Sequence, residues 1–284
     1  MKSITVPVPE YAEQERIAAF LDAECAEIDA VLEKTRASIE EYKKLKQAVI
    51  TQAVTKGIHG DRPMKDSGIE WIGEIPAEWD VVRQKYFWNT VESGVSVNAA
   101  DKPVDNSEQY GVLKTSAVSK FVFIPTEHKQ VNLEEYGRVS CPVRADSIIA
   151  SRMNTPELVG ACGYVQNNYP NLFLPDRLWQ ITFKDRLSPK YVWYYLSGIR
   201  VRQYISSLST GTSSSMQNIS QSQYGNILIT IPSVEEQSEI TKYLDEKYAG
   251  IDALIAKKQQ YLTEIENYKK SLIYEYVTGK KEVV

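Results

Sequence analysis

Arg152 and Asn154 stand two residues apart in the stretch DSIIASRMNT, just past an apolar, strand-like run. Guanidinium and carboxamide groups are the side chains that pair in bidentate fashion with guanine and adenine edges, so this placement has the chemistry of base reading. Lys114 and Ser116 follow the apolar run of YGVLKTSAV in the same way, and Arg177 precedes LWQITF. Ammonium and hydroxyl groups serve phosphate oxygens. The polar stretch STGTSSSMQNISQSQ, Ser209 to Gln223, adds Ser213, Ser214, Gln217 and Asn218. Flexible solvated turns use the same residue types, so composition alone also reads this stretch as a plain loop.

Other chemistries lack material. The chain has two histidines, His59 and His128, too few for a multi-histidine metal site and poorly suited to a histidine-based triad. No G-x-G-x-x-G or G-x-x-x-x-G-K-[ST] follows a strand-like run, which removes the usual nucleotide cradles. Cys25, Cys141 and Cys162 lie in unrelated contexts and form neither a disulfide framework nor a metal spacing. The expectation is a chain without catalysis, metal or cofactor of its own.

The elements that would position these groups have two grammars. Residues 231–253, IPSVEEQSEITKYLDEKYAGIDA, echo VPEYAEQERIAAFLDAECAEIDA at residues 8–30. One ungapped register relates them: Pro9 matches Pro232, an offset of 223, and Glu13, Gln14, Ile17, Leu21, Asp22, Asp29, Lys46, Ile50, Val54 and Thr55 meet the same residue type at that offset. Two copies are too few for a solenoid, so they pair with each other or with a partner. With Cys25 and Thr35 between them, Leu21, Ile28, Leu32, Ile39, Tyr42 and Lys46 in the first copy fall at steps of three and four, as do Leu244, Ile251, Ile255, Leu262, Ile265 and Lys269 with Tyr248 and Lys258 in the second. That is a heptad seam, and it predicts two long helices pairing as an antiparallel coiled coil. Gly57 and Gly279 stop them. Lys46 and Lys269 occupy equivalent seam positions, where they either fix register or carry their stems past the seam.

Between the repeats, GIHGDRPMKDSGIEWIGEIPAEW reads as a connector packed through Trp71, Ile72 and Trp79. Short apolar runs then alternate with turn signals: YGVLKTSAV, SKFVFIP, DSIIASRM, GACGYVQ, LWQITF and GNILITIP predict strands, and PKYVWYYLSGIRVRQYI predicts one helix. The fold class is α+β: a β-rich mixed domain plus two long helices. The expected divisions are residues 1–57 and 232–284 for the helices and 58–231 for the connector and globular domain. Charge follows the same division. Residues 9–57 carry seven Lys/Arg against ten Asp/Glu, residues 232–284 eight against ten, and residues 78–231 fifteen against thirteen. Acidic helices flank a mildly basic domain, and clustering of the basic groups matters more than the surplus. No apolar run reaches the length of a membrane span, and the first ten residues have no signal-like apolar core, so a cytoplasmic location is expected.

The phrases NILITIPSVEEQSEITKYLDEKYAGIDALI and PVPEYAEQERIAAFLDAECAEIDAVL, the helix exit QAVTKG and the linker MKDSGIEWIGEIPAEWDVVRQKYFW together resemble the DNA specificity subunit of Type I restriction-modification systems. The resemblance covers essentially the whole chain. It implies target-recognition domains that each read one half of a split site in double-stranded DNA, held apart by paired helices. It also implies modification subunits and, through them, restriction subunits as partners, which bind S-adenosylmethionine and ATP. DSIIASRM and TGTSSSMQNI resemble the family's strand-then-loop segments, where target contacts are expected. The chain begins MKSITVPVPEYAEQ, so the family's first recognition domain is not in it, and a second reader is expected from another copy or a different half-subunit. Read without the resemblance, the residues favour a coiled-coil protein-interaction adaptor. The specificity part of a fused restriction-methylation enzyme is a third class.

Overall fold

A computed structural model describes residues 8–213 and 216–283, with the backbone alone described at Thr212 and Ser213. Ser214 lies outside the described residues. In chain order the elements are α1 (Tyr11–Lys56), β1 (Met64–Asp66), β2 (Glu74–Pro76), β3 (Asp80–Arg83), β4 (Trp88–Ser93), β5 (Ala99–Ala100), β6 (Gly111–Leu113), β7 (His128–Val131), β8 (Pro142–Val143), β9 (Ser147–Ser151), β10 (Met153–Asn154), β11 (Cys162–Val165), β12 (Tyr169–Phe173) and β13 (Leu178–Phe183). They continue through α2 (Pro189–Ser197), α3 (Ile199–Leu208), β14 (Thr210–Ser213), β15 (Met216–Asn218), α4 (Gln221–Gly225), β16 (Leu228–Ile231) and α5 (Val234–Val277). The class is α+β. No helix among the described residues is long and apolar enough to cross a membrane.

Two units divide the chain: residues 1–46 with 246–284, and residues 47–245. In the first, α1 and α5 run antiparallel. Arg36 meets Glu266, Lys46 meets Asp252 and Lys269 meets Asp29 at 2.6–2.7 Å, while Phe20 packs on Tyr276 with ring centroids 4.6 Å apart. Ile28, Leu32 and Leu272 are buried there with Leu21, Leu262, Ile265 and Tyr276 against them, and Ile39 and Ile251 are buried as well. Each such apolar side chain removed from water stabilises by about 1.5–3 kcal/mol, which is why long helices with a striped face find a partner. Tyr42 is half-buried, with the Lys258 ammonium 5.8 Å from its ring, and Ile255 is half-buried too. Leu244 is fully buried but belongs to the second unit.

The second unit is built on a four-stranded antiparallel sheet, β11-β9-β13-β4, and a five-stranded sheet, β5-β7-β6-β12-β8, in which β6 and β12 are parallel. Every residue of β9 is buried, and Ile149 joins Leu113, Val118, Val143, Val165, Leu172, Leu174 and Leu178 in one core. β16 pairs with β3, and Tyr191 and Thr230 donate hydroxyls to the Val54 carbonyl, so the end of α1 is stitched into this unit.

Three segments depart from the sequence reading. PKYVWYYLSGIRVRQYI forms two helices, because Gly198 is extended (φ −66°, ψ 138°) and ends α2 before α3 begins. SKFVFIP forms a turn: Phe121 has φ +58°, and its carbonyl accepts from the Trp193 indole at 2.7 Å. Within the polar stretch Ser209–Gln223, β14 and β15 pair antiparallel and α4 begins at Gln221. Its propensities are weak, but β10 supplies a third strand to pair with, and tertiary pairing overrides propensity.

Candidate nucleic-acid interface

β10, β15 and β14 form a small antiparallel sheet in that order, with Asn154 opposite Gln217 and Met153 opposite Asn218. The sheet grows from the end of β9. Arg152 joins the two strands, and its backbone is clamped on both sides: its N–H donates to the Arg177 carbonyl at 3.0 Å and its carbonyl accepts from Ile219 N–H at 3.0 Å. Five of the residues selected by type thus converge: Arg152, Asn154, Arg177, Gln217 and Asn218. Ser213 joins through its backbone, pairing with Met216. Arg177 is exposed and Arg152 half-exposed, and among the described residues neither is ion-paired.

The hydrogen-bonding capacity of this sheet is not used up. Asn154 Oδ1 accepts from Thr155 N–H at 2.9 Å, but Asn154 Nδ2 and Asn218 Oδ1 have no partner although they are shielded from solvent. A shielded donor or acceptor left unpaired costs about 1–3 kcal/mol, so both gain from a ligand that pairs with them. Close approach of β14 to β15 depends on Gly211, where a Cβ would lie 2.3 Å from the Met216 carbonyl oxygen.

Lys114 and Ser116 are placed on the other sheet's border, after β6. Ser116 Oγ donates to Glu127 Oε2 at 2.6 Å, and Lys114 Nζ lies 4.0 Å from the same oxygen. Glu127 therefore engages both, and among the described residues no hydrogen bond or ion pair links them to the β10–β15 sheet.

Sequence reasoning missed the support beneath the loop. Arg202 of α3 donates from Nη2 to the carbonyls of Glu157 and Val159 at 3.1 and 2.7 Å, and Ser206 Oγ donates to the Pro156 carbonyl at 3.0 Å. These bonds hold the turn that follows Asn154. Burial lowers the Arg202 guanidinium below its usual value. A helical arginine carries no spacing signal that separates it from a solvated one. Gln223 Nε2 donates to the Leu208 carbonyl at 2.7 Å, and Ser220 with Gln223 forms a capping box. The S-x-x-Q spacing at Ser220 does announce that helix start in the sequence.

Residues 76–264 match the family model described as Type I restriction modification DNA specificity domain. The chain belongs to that family. It is 27% identical to the Type I restriction enzyme MjaVIII specificity subunit of Methanocaldococcus jannaschii over 99% of this chain and 63% of that protein. It is 21% identical to the Type I restriction enzyme EcoKI specificity subunit of Escherichia coli over 98% of this chain and 58% of that one. The chain thus spans about three fifths of the length of these relatives. Among solved structures, one described as the structural basis underlying complex assembly and conformational transition of the type I R-M system shares the fold with a TM-score of 0.68 at 18% identity, over 97% of this chain and 62% of that one. The HsdS subunit from Thermoanaerobacter tengcongensis shares it with a TM-score of 0.53 at 17% identity, over 97% and 60%.

Proposed function

We propose that this chain is a non-catalytic DNA-recognition component of a type I restriction-modification complex, and that residues 58–231 read one half of a split target through the β10–β15–β14 sheet and Arg177. The observation that carries the reading is the convergence of Arg152, Asn154, Arg177, Gln217 and Asn218 on one small sheet in a chain of the specificity family. Two arginines and three amides supply bidentate donors and acceptors suited to guanine and adenine edges. Lys114 and Ser116 serve as phosphate-contacting groups in this reading. Residues 1–57 and 232–284 act as spacer helices, and they are the surface offered to modification subunits, which supply methyl transfer with S-adenosylmethionine, and through them to ATP-dependent restriction subunits. One reader recognises only a few base pairs, and at about 1–3 kcal/mol per correctly read pair it is a weak address, so a second reader completes the site.

The test is methylome mapping of cells that express the chain with its cognate modification subunit, alongside fluorescence anisotropy of the purified complex on the mapped site. A split methylation motif and DNA affinity that falls steeply with salt support the reading. An unmethylated genome together with salt-independent or absent DNA binding overturns it and returns the chain to the adaptor class.

A further inference from the structure

Phe121 has φ +58°, a conformation that a bulky side chain rarely adopts unless its surroundings hold it there. Two helix residues do so. The Trp193 indole of α2 donates to the Phe121 carbonyl at 2.7 Å, and the Arg202 guanidinium of α3 lies over the Phe121 ring, with Cζ 4.8 Å from the centroid. Phe121 closes a run of tight turns that opens at Lys114. Ala117 N–H donates to the Lys114 carbonyl, Ser119 N–H to that of Ser116 and Phe121 N–H to that of Val118, at 3.0–3.2 Å. The backbone that presents Lys114 and Ser116 is thus continuous with the residue on which Arg202 rests.

Arg202 faces a second segment as well. Its Nη2 donates to the carbonyls of Glu157 and Val159, and Ser206, one helical turn further along α3, donates to that of Pro156. This segment continues directly from β10, because Thr155 N–H donates to Asn154 Oδ1 at 2.9 Å and Gly160 N–H returns to the Ser151 carbonyl at 2.6 Å. Arg202 Nε and Nη1 are shielded from solvent and have no hydrogen-bond partner among the described residues. A desolvated guanidinium gains more from a ring face than an exposed one does, and burial is the main influence on this one. One arginine therefore touches both the turn that follows Asn154 and the turn that carries Lys114.

We propose that Arg202 is a positioning residue for DNA recognition: through the Phe121 ring on one side and the Glu157 and Val159 carbonyls on the other, it fixes the distance between the phosphate-contacting turn at Lys114 and Ser116 and the base-reading sheet at Arg152 and Asn154. The roles of the two segments rest on the proposed function, whereas the bridge stands on its contacts alone. Phosphate contacts set the register of a duplex, and base contacts then read it. With the bridge in place, DNA seated on Lys114 presents its base edges at a set distance from Arg152. Hydrogen bonds weaken steeply with distance and angle, so a turn that drifts by about 1 Å loses base reading while its ammonium still follows a phosphate. The bridge supplies discrimination between sequences, and overall affinity depends on it little.

Phe121→Leu removes the ring and leaves Arg202 with its two carbonyls, and Phe121→Tyr keeps the ring. In hydrogen exchange of the full chain without DNA, residues 115–121 should exchange at least fivefold faster in Phe121→Leu, with residues 155–160 unchanged and Phe121→Tyr equal to wild type. In anisotropy of the complex with its modification subunit, the ratio of affinities for the mapped site and for that site altered by one base pair should fall at least fivefold in Phe121→Leu. Affinity for scrambled DNA and its salt slope should stay at wild type. A merely structural role lowers every affinity together, through loss of folded chain, and leaves the ratio alone. Unchanged exchange at residues 115–121 in Phe121→Leu overturns the bridge. An unchanged ratio, or an equal fall in Phe121→Tyr, overturns the positioning role. A wild-type complex that binds no DNA overturns the proposed function instead, and the exchange measurement still decides the bridge.

Discussion

Lys46 Nζ lies 2.7 Å from Asp252 Oδ1, and the same pair recurs with its partners exchanged, Lys269 Nζ lying 2.6 Å from Asp29 Oδ1. Adding 223 to Asp29 and Lys46 gives Asp252 and Lys269, so one contact is written twice and the helix pair has a local two-fold relation. The lysine stems are largely covered, with side chains 24% and 26% exposed, while both aspartates are more than half exposed. Lys46 also lies 4.1 Å from the Tyr248 ring centroid. Stem burial and a defined charge partner therefore coexist at each seam lysine.

Replacing Lys46 and Lys269 together by aspartate sets two like-charged pairs across the seam. An exposed pair is worth about 0.2–1 kcal/mol, and a loss of 1 kcal/mol in a chain of this class lowers Tm by about 2–4 °C, so a drop of that size is expected by calorimetry. Adding Asp29→Lys and Asp252→Lys should recover it. An unchanged Tm in the first variant shows that the pairs do not hold the register.

Arg152→Ala should cost about 1–3 kcal/mol in binding to the mapped site and relax preference at one base pair. Methylome sequencing with the variant reads this directly, as new motifs that differ from the parent at one position. A uniform loss across all sequences would move Arg152 to the phosphate-contacting class.

Lys114→Ala should behave in the opposite way. Binding weakens on target and scrambled DNA alike, and the slope of log affinity against log salt decreases by about one. A changed base preference would contradict the phosphate role.

Arg202→Ala removes the donor to the carbonyls of Glu157 and Val159 and leaves the acceptor of buried Val159 without it. The expected cost is about 1–3 kcal/mol of stability by urea denaturation, with hydrogen exchange fastest at Thr155–Gly160. Protection of that turn equal to wild type would show that Arg202 does not hold it.

Burial pushes the Cys162 thiol up to about 11. Only the thiolate reacts, so at pH 8 the native chain should leave Cys162 unmodified by a maleimide until denaturant opens the core. Mass spectrometry of a timed reaction checks this. Modification of Cys162 at the rate of a free thiol would place it outside the core.

The sequence by itself determined the helices and their equivalence. Heptad spacing is local, and a repeat of fixed offset needs no coordinates to be seen, so Leu21 through Lys46 and Ile251 through Lys269 were legible from side-chain type alone. It also nominated the reading groups, since strand ends followed by Arg, Asn and Gln are visible as a pattern. Which nominees meet was decided only in three dimensions. Gln217 and Asn218 come from a polar stretch that reads as a loop, and they become strand β15 because Met153 and Asn154, more than sixty residues earlier, offer a ladder to pair with. Lys114 has the same local signature as Arg152, yet Glu127 engages it on another sheet. Gln14 and Gln237 stand at matching positions of the repeat, each after a glutamate, and only the fold buries Gln237 against the start of α2 and leaves Gln14 exposed. Local pattern fixes what a residue is able to do. Long-range pairing, whose free energy comes from contacts far apart in the chain, fixes what it is placed against.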